Sequence, residues 1–417
     1  MEQRFGRKTR TAQASLRSGM LAGVVIALIG IGAGAYFYTQ APQAPPQVTM
    51  IETSVYTSTI VSFSSLNAPP ATVTQTVTQT QTGAVVTQTQ VSTQTQTQVS
   101  TQTQTIPPIS TVKLASDPIG VGYDSANGLV YVALSNATEV MAVSPQGSVV
   151  ATIPAPAGSA PFGVAVNPNT NTVYVTLNKA SGVAVISGAT NAIIATIPVG
   201  AGPSGVAVNP TTNTVFVGSE NDDSVSVING ATNTLIHGTN STVSDATFGV
   251  DNAYSVAVNP LTNTLYVGAV HGSTKTASAL TVVNASTTSF KTIGSYTTFG
   301  GQLTSLVFDP ANGMLYIANP QQNLVNVFST STNSFVRNIT LPHPSALVLD
   351  SRIGRILAVD SISNYVTAVS TQTNSVTGTV PVGNDPMGID LDSTRNLVYV
   401  ANSLDGTLTV LPDAVVP

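Results

Sequence analysis

The sequence predicts an all-β fold, a seven-bladed β-propeller, from three observations. Seven times, a short run ending in Asn or Asp is followed seven residues later by an aromatic residue or Leu: Asp124/Tyr131, Asn167/Tyr174, Asn209/Phe216, Asn259/Tyr266, Asp309/Tyr316, Asp350/Leu357 and Asp392/Tyr399. Successive markers lie 43, 42, 50, 50, 41 and 42 residues apart, the period of a four-stranded propeller blade and not of a shorter helical repeat. Second, stretches such as Val173-Tyr174-Val175 are apolar on both faces. A sheet with one wet face would alternate, so these sheets are covered on both sides, as blades stacked in a ring are. Third, the seventh repeat reaches Pro417 without an outer strand, while Thr111 to Leu114, before the first repeat, matches the fourth-strand texts IIATIPVGAGP and VTGTVPVGNDP. The N-terminal strand is therefore expected to complete the last blade, which removes two open sheet edges.

Blade two shows how each repeat is built. Gly163 to Asn167 is a short first strand, and Asn167-Pro168 opens a tight turn because the Asn side chain bonds the turn backbone while Pro presets φ. Four residues after each Asn or Asp stands Gly128, Asn171, Asn213, Asn263, Gly313, Gly354 or Asn396. Only Gly and Asn occur there, the choice that a left-handed backbone position makes. Asp124, Asn167, Asn209, Asn259, Asp309, Asp350 and Asp392 are accordingly turn formers. The second strand surrounds Val173 to Val175, the third spans Gly182 to Ile186, and a turn from Ser187 to Asn191 leads to the fourth, Ile193 to Ile197. Pro198 and the glycines after it end the blade.

The first hundred or so residues have a different composition. Residues 1 to 18 form a basic tail with Arg4, Arg7, Lys8, Arg10 and Arg17, followed by Gly19 to Tyr38 without a charge. A segment of that length crosses a hydrocarbon layer of about 30 Å as a helix. The positive-inside rule holds the tail in the cytoplasm and sends the rest across. A retained anchor is the leading reading, and cleavage near Ala33-Gly34-Ala35 is the alternative. Gly19, Gly23, Ala27, Gly30 and Gly34 share one helical face and would allow weak homo-oligomeric pairing, although glycine is common in membrane helices. Residues 39 to 108 form a Thr/Gln-rich stalk, uncharged from Thr53 to Val112. It offers too few large apolar side chains for a core and is expected to be disordered, with O-glycans or β-type pairing as further possibilities. The propeller is expected over 109 to 417.

The texts NTVYVT, NTVFVG, NTLYVG, GMLYIA and NLVYVAN, each preceded by VAVNP, LVFDP or IDLDS, resemble the YVTN-repeat β-propeller family of archaeal and bacterial surface-layer and exported proteins. The resemblance covers about Ser110 to Pro412 and implies the seven-bladed fold. It implies little about activity, because that wider class holds surface structural proteins, lactonase-like enzymes and exported propellers without established chemistry. Blade six departs from the pattern with RILAVD, where Leu357 replaces Tyr.

Repeat lengths place variation on one face. Extra residues enter only the second-to-third-strand loop and the between-blade loop of blades three and four, and these share a face. Loops that vary on a rigid scaffold are where binding is usually found. The expected binding-face residues are His237, Asp245, Asp251, Tyr254, His271, Lys275, Tyr296, Gln302 and His343, with His237 aligned to an outer strand. Glu220, Asp222 and Asp223 are weak candidates for a hard cation, set against a solvated acidic loop. Asn136, Asn240, Asn284 and Asn338 stand in N-glycosylation sequons.

Beyond Thr39 the chain holds 8 Lys/Arg against 17 Asp/Glu, and no basic cluster suits nucleic acid. Absence of Cys excludes disulfides, thiolate metal sites and a Cys nucleophile, and absence of Trp argues against quinoprotein propellers and sugar platforms. No catalytic set and no cofactor is expected. The sequence thus points to a membrane-tethered surface propeller acting in binding, adhesion or envelope structure, with an envelope protein or glycan as partner. A lactonase-like hydrolase using the variable face is the alternative, and a redox or metal-dependent propeller is a third class.

Overall fold

The structure, a computed structural model, describes residues 73–82, 87–96, 109–237, 252–271, 277–286, 289–298, 300–413 and 416. The chain divides into two compact units, Met1–Thr105 and Ile106–Pro417. In the first unit, Val73–Thr82 pairs antiparallel with Thr87–Gln96, in register from Val73↔Gln96 to Thr82↔Thr87. This departs from the disorder expected of the stalk. Thr and Val favour extended backbone, and two equal tracts with a two-residue period can pair without a defect. The tail 1–18, the apolar segment 19–38 and the other parts of the stalk lie outside the described residues. Among the described residues no helix is long and apolar enough to cross a membrane.

The second unit is the seven-bladed propeller, seven four-stranded antiparallel sheets. Its first strands are Pro118–Asp124, Pro161–Asn167, Pro203–Asn209, Ala253–Asn259, Ser305–Asp309, Pro344–Asp350 and Pro386–Asp392. Each touches the first strand of the next blade, and blade seven touches blade one. Closure is as expected: Ser110–Lys113 is the outer strand of blade seven and pairs with Thr407–Pro412 from Ser110↔Val410 to Lys113↔Thr407.

The first strands approach very closely. Four residues before the turn-forming Asn or Asp the seven blades carry Gly120, Gly163, Gly205, Ser255, Ser305, Ala346 and Gly388. A Cβ added at Gly120 would lie 2.1 Å from the Phe162 carbonyl oxygen, and one at Gly388 would lie 2.0 Å from that of Ile119. Where serine stands instead, its hydroxyl bonds the neighbour: Ser255 Oγ donates to Leu303 O (2.5 Å), and Ser305 Oγ accepts from Leu347 N (3.1 Å). Farther out, seven apolar clusters fill the seven junctions, such as Tyr174, Val183 and Val185 of blade two against Val215, Val217 and Ile228 of blade three. Full burial of such side chains contributes about 1.5 to 3 kcal/mol each.

The marker aromatics latch blade to blade. Tyr131 donates its hydroxyl to Asn191 Oδ1 of the next blade (2.6 Å), and Tyr316 donates to Asn374 Oδ1 (3.0 Å). The Tyr266 hydroxyl bonds Thr330, while at the blade two–three junction the Tyr174 hydroxyl and Asn233 Oδ1 are both without a partner. The two markers that are not Tyr face junctions where no such Asn waits. Phe216 packs with Ala285 and Phe290 of a longer hairpin, and Leu357 packs with Val416, because blade seven has no third-to-fourth-strand turn. Arg355 fastens that C-terminal segment, donating to Val416 O (2.5 Å) and pairing with Asp413. Arg352 joins Asp413 to the turn former Asp350 (2.9 and 3.0 Å). At the closing seam Tyr399 finds no Asn, since blade one turns at Gly147, and its buried hydroxyl lacks a partner.

The seven turn positions all have left-handed backbone, with φ from 49° at Asn171 to 76° at Gly128. The side chains of Asn167, Asn209, Asn259, Asp124, Asp309, Asp350 and Asp392 accept from N–H groups two or three residues on, as turn formers should. Constraint is not confined to that face. The opposite turns are left-handed at Thr138, Ser181, Asp223, Asn323, Asn364 and Gly406, so its loops are mostly fixed as well. The insertion in blade four, expected as a loop, instead extends a sheet: Thr264–His271 pairs with Ala277–Ser286, adding Val270↔Ser278 and His271↔Ala277. Outer strands carry a bulge in blades one to six that leaves Val150, Ile194, Ile236, Ile293, Val336 or Thr377 outside the pairing, a local twist that blunts an exposed edge.

Two expectations follow. Tyr131→Phe should lower stability by about 1 kcal/mol in denaturant unfolding, whereas Tyr399→Phe, which removes an unsatisfied buried hydroxyl, should be neutral or stabilising. Gly354→Val, forced to a φ of 65°, should cost on the order of 1 to 2 kcal/mol, while Glu220→Ala should stay within about 0.5 kcal/mol.

Candidate functional site

Ring packing leaves an axial channel. Residues 162–166 and 205–208 keep partial exposure although neighbouring blades cover both flanks of their strands. At the loop-face mouth, five blades place a left-handed residue directly before proline: Asp117 (φ 46°), Ala160 (51°), Gly202 (66°), His343 (33°) and Asp385 (54°). Proline disfavours helical conformations in the residue before it, so these positions are strained by about 1 kcal/mol or more. Backbone bonds to the neighbouring turn hold them, for example Ser135 N to Asp117 O (3.1 Å), Asn178 N to Ala160 O (3.0 Å) and Ser403 N to Asp385 O (2.9 Å).

Three of these residues are titratable and stand on consecutive blades: His343 on six, Asp385 on seven and Asp117 on one. Ser403 Oγ donates to Asp117 Oδ1 (2.5 Å). Burial pushes the Asp385 carboxyl up and Asp117 adds to the rise, while Ser403 and His343 pull it down. His343 Nδ1 lies 2.8 Å from Ser361 Oγ, and the His343 backbone N–H donates to Asn323 Oδ1 (3.0 Å). Among the described residues no three His, Asp or Glu side chains converge to hold a metal ion.

On the other side of the mouth Phe162 of blade two meets Tyr254 of blade four edge to face, 6.2 Å between ring centres. Blade three stands between these strands, and its small Ser204 occupies the matching register. Burial, with the charge of Glu220, pushes the Tyr254 hydroxyl up to about 12.

Asp390 lies deeper, three residues along the first strand of blade seven from Met387. Its register in the other blades holds Gly122, Ala165, Ala207, Ala257, Val307 or Val348. Oδ2 accepts the Tyr123 N–H across the seam (2.7 Å), and Oδ1 accepts the Leu391 N–H (2.8 Å). The residue keeps some exposure at the axis, but protein surrounds the carboxylate. Burial pushes its pKa up to about 6 against the pull of those two N–H groups. The turn periodicity drew attention to Asp392 and passed over Asp390. The signal available was its lone charge in a register otherwise apolar.

The other expected site residues are dispersed. His237 ends the outer strand of blade three opposite Val227, and His271 lies in a strand. Tyr296 is also no loop residue, since it sits in the outer strand of blade four with its ring 5.1 Å from Phe328. Gln302 N donates to Gln321 Oε1 (2.9 Å). Asp222 accepts from Ala201 N (2.8 Å) and Ser224 Oγ (2.6 Å), and Asp223 from Asn252 N (2.6 Å), so both brace the loop. Asn136, Asn284 and Asn338 are exposed. Asp245, Asp251, Lys275 and Asn240 lie outside the described residues.

No family model and no curated protein matches the sequence. Among solved structures 1314 chains do match. One is hydrazine synthase of Kuenenia stuttgartiensis, aligned over 75% of this chain and 98% of that one at 14% identity and a TM-score of 0.63. What they share is the propeller fold. Chemistry does not transfer at that identity, and Asp390 and the His343 arc are read from this chain alone.

The buried Asp390 predicts a pH signature. Folded, it keeps its proton up to about pH 6, against 3.8 ordinarily. Its contribution therefore favours the fold at low pH and is lost as pH rises through that window. The stability of Asp390→Asn relative to wild type should increase from pH 4 to pH 7 by on the order of 2 kcal/mol, measured by denaturant unfolding at each pH.

Proposed function

We propose that this chain is a membrane-tethered, extracytoplasmic propeller of the YVTN-repeat type that acts by binding an envelope protein or glycan, without catalysis. The observation that carries this reading is how the polar groups of the loop face are used. Asp222 and Asp223 brace loop N–H groups, and Asp117 accepts from Ser403. The tethering rests on the basic tail and the uncharged run Gly19 to Tyr38. The exposed sequon residues Asn136, Asn284 and Asn338 suit a glycoprotein.

A second, hydrolytic reading is favoured by one contact, His343 Nδ1 to Ser361 Oγ at 2.8 Å, with Asp385 near enough to feel the imidazole. It predicts lactone or ester hydrolysis that disappears in Ser361→Ala. The binding reading predicts none in either protein.

Location is tested on intact cells. Protease added outside should release a fragment containing 109–417 by cutting within the stalk, and deleting 19–38 should move the protein from the membrane to the soluble fraction. A propeller protected until the cells are lysed would overturn the tethered, outward-facing reading.

A further inference from the structure

Asp390 is a carboxylate that the architecture does not need. Six blades build the same register from Gly, Ala or Val. Its two oxygens are oriented by the Tyr123 and Leu391 N–H groups, and among the described residues no Lys, Arg or His acts on its charge. Arg395, on the same blade, is engaged by Asp392 Oδ2 (2.9 Å) and the Tyr123 hydroxyl (3.1 Å). A largely desolvated negative charge without a counter-charge is costly, and such groups concentrate at functional sites.

The surroundings specify what would complete it. Asp390 lies three residues, roughly 10 Å at about 3.3 Å per strand residue, below the register of its own strand that in blades two and four carries Phe162 and Tyr254, whose rings meet. Glu220, Asp385 and Asp117 make the channel mouth acidic, and the pre-proline and first-strand positions contain neither Lys nor Arg. Carboxylate at depth, aromatic surface at the entrance and a negative approach together suit an organic cation and repel an anion.

We propose that the axial channel binds a protonated amine on a short apolar stem, its ammonium on Asp390 and its stem toward Phe162 and Tyr254. The ligand class deepens the binding reading above and rests on it. Each Asp390 oxygen accepts one N–H and keeps a lone pair for the ammonium.

The test is calorimetric titration of the full-length protein at neutral pH with n-butylammonium, and with n-butyrate as the anionic counterpart. Asp390→Ala is the decisive variant, since blades two, three and four already fold with Ala165, Ala207 and Ala257 in this register. Tyr254→Leu probes the mouth without altering charge. The expected result is saturable n-butylammonium binding, weakened about tenfold or more in Asp390→Ala and less in Tyr254→Leu, with no butyrate binding. Absence of saturation up to about 100 mM, equal affinity in wild type and Asp390→Ala, or equal binding of butyrate would overturn the proposal. Any of these outcomes would leave the protease result on location standing, so the two failures are separable.

Discussion

Seven first strands meet around the axis, and at Gly120, Gly163, Gly205 and Gly388 the approach is closer than a single methyl group would allow. Gly120 against the Phe162 carbonyl and Gly388 against that of Ile119 set the radius of the ring, and everything outward follows from it. With the first strands this close, the second and third strands of adjoining blades come into apolar contact on both faces. That is why stretches such as Val173 to Val175 show no alternation. At Ser255 and Ser305 a side chain is admitted and its hydroxyl bonds the neighbour, while blade six admits the methyl group of Ala346. Tyr131, Tyr266 and Tyr316 then act at larger radius, each tying its blade to the turn of the next.

Several departures from sevenfold regularity meet at one junction. Between blades seven and one lie the two-chain-end closure, the unpartnered Tyr399 hydroxyl, the Arg395 link to Tyr123, and Asp390 reaching the Tyr123 N–H. Of the other junctions, two carry a Tyr to Asn latch, Tyr131 to Asn191 and Tyr316 to Asn374. A ring of near-identical repeats confers no position on a ligand, because seven equivalent places compete. Chemistry at a single seam breaks that degeneracy.

Most of the fold was legible because it rests on local rules with a fixed period. Gly or Asn four residues after each turn former proved left-handed in all seven repeats, and the missing outer strand was found where the matching text stood. Other features depend on neighbours that are distant in sequence. The choice of Tyr, Phe or Leu as marker is explained only by what the following blade offers, Asn191 for Tyr131 but Ala285 for Phe216. Leu357 looked like a lapse in the repeat and is instead matched to Val416. The blade-four insertion was counted correctly and placed wrongly, because residue spacing alone does not separate a longer loop from a longer hairpin. The Thr/Gln tract lacks the apolar side chains of a core, yet two of its strands pair through their backbones. At the channel, His343 and Asp385 stand on blades consecutive in sequence, whereas Asp117 of blade one joins them only through closure of the ring.

The strand Ser110–Lys113 has a mechanical consequence. It is the first element of the propeller in chain order, so any tension transmitted along the backbone from the N-terminal side enters the domain through four residue pairs with Thr407–Pro412. Pulled along its length, that strand is loaded in shear and all four pairs resist together. Pulled sideways, they would yield one after another. Peeling it away would also withdraw Val112 and Leu114 from the apolar cluster shared by blades seven and one, so the clasp that completes the ring is the element that feels a load first.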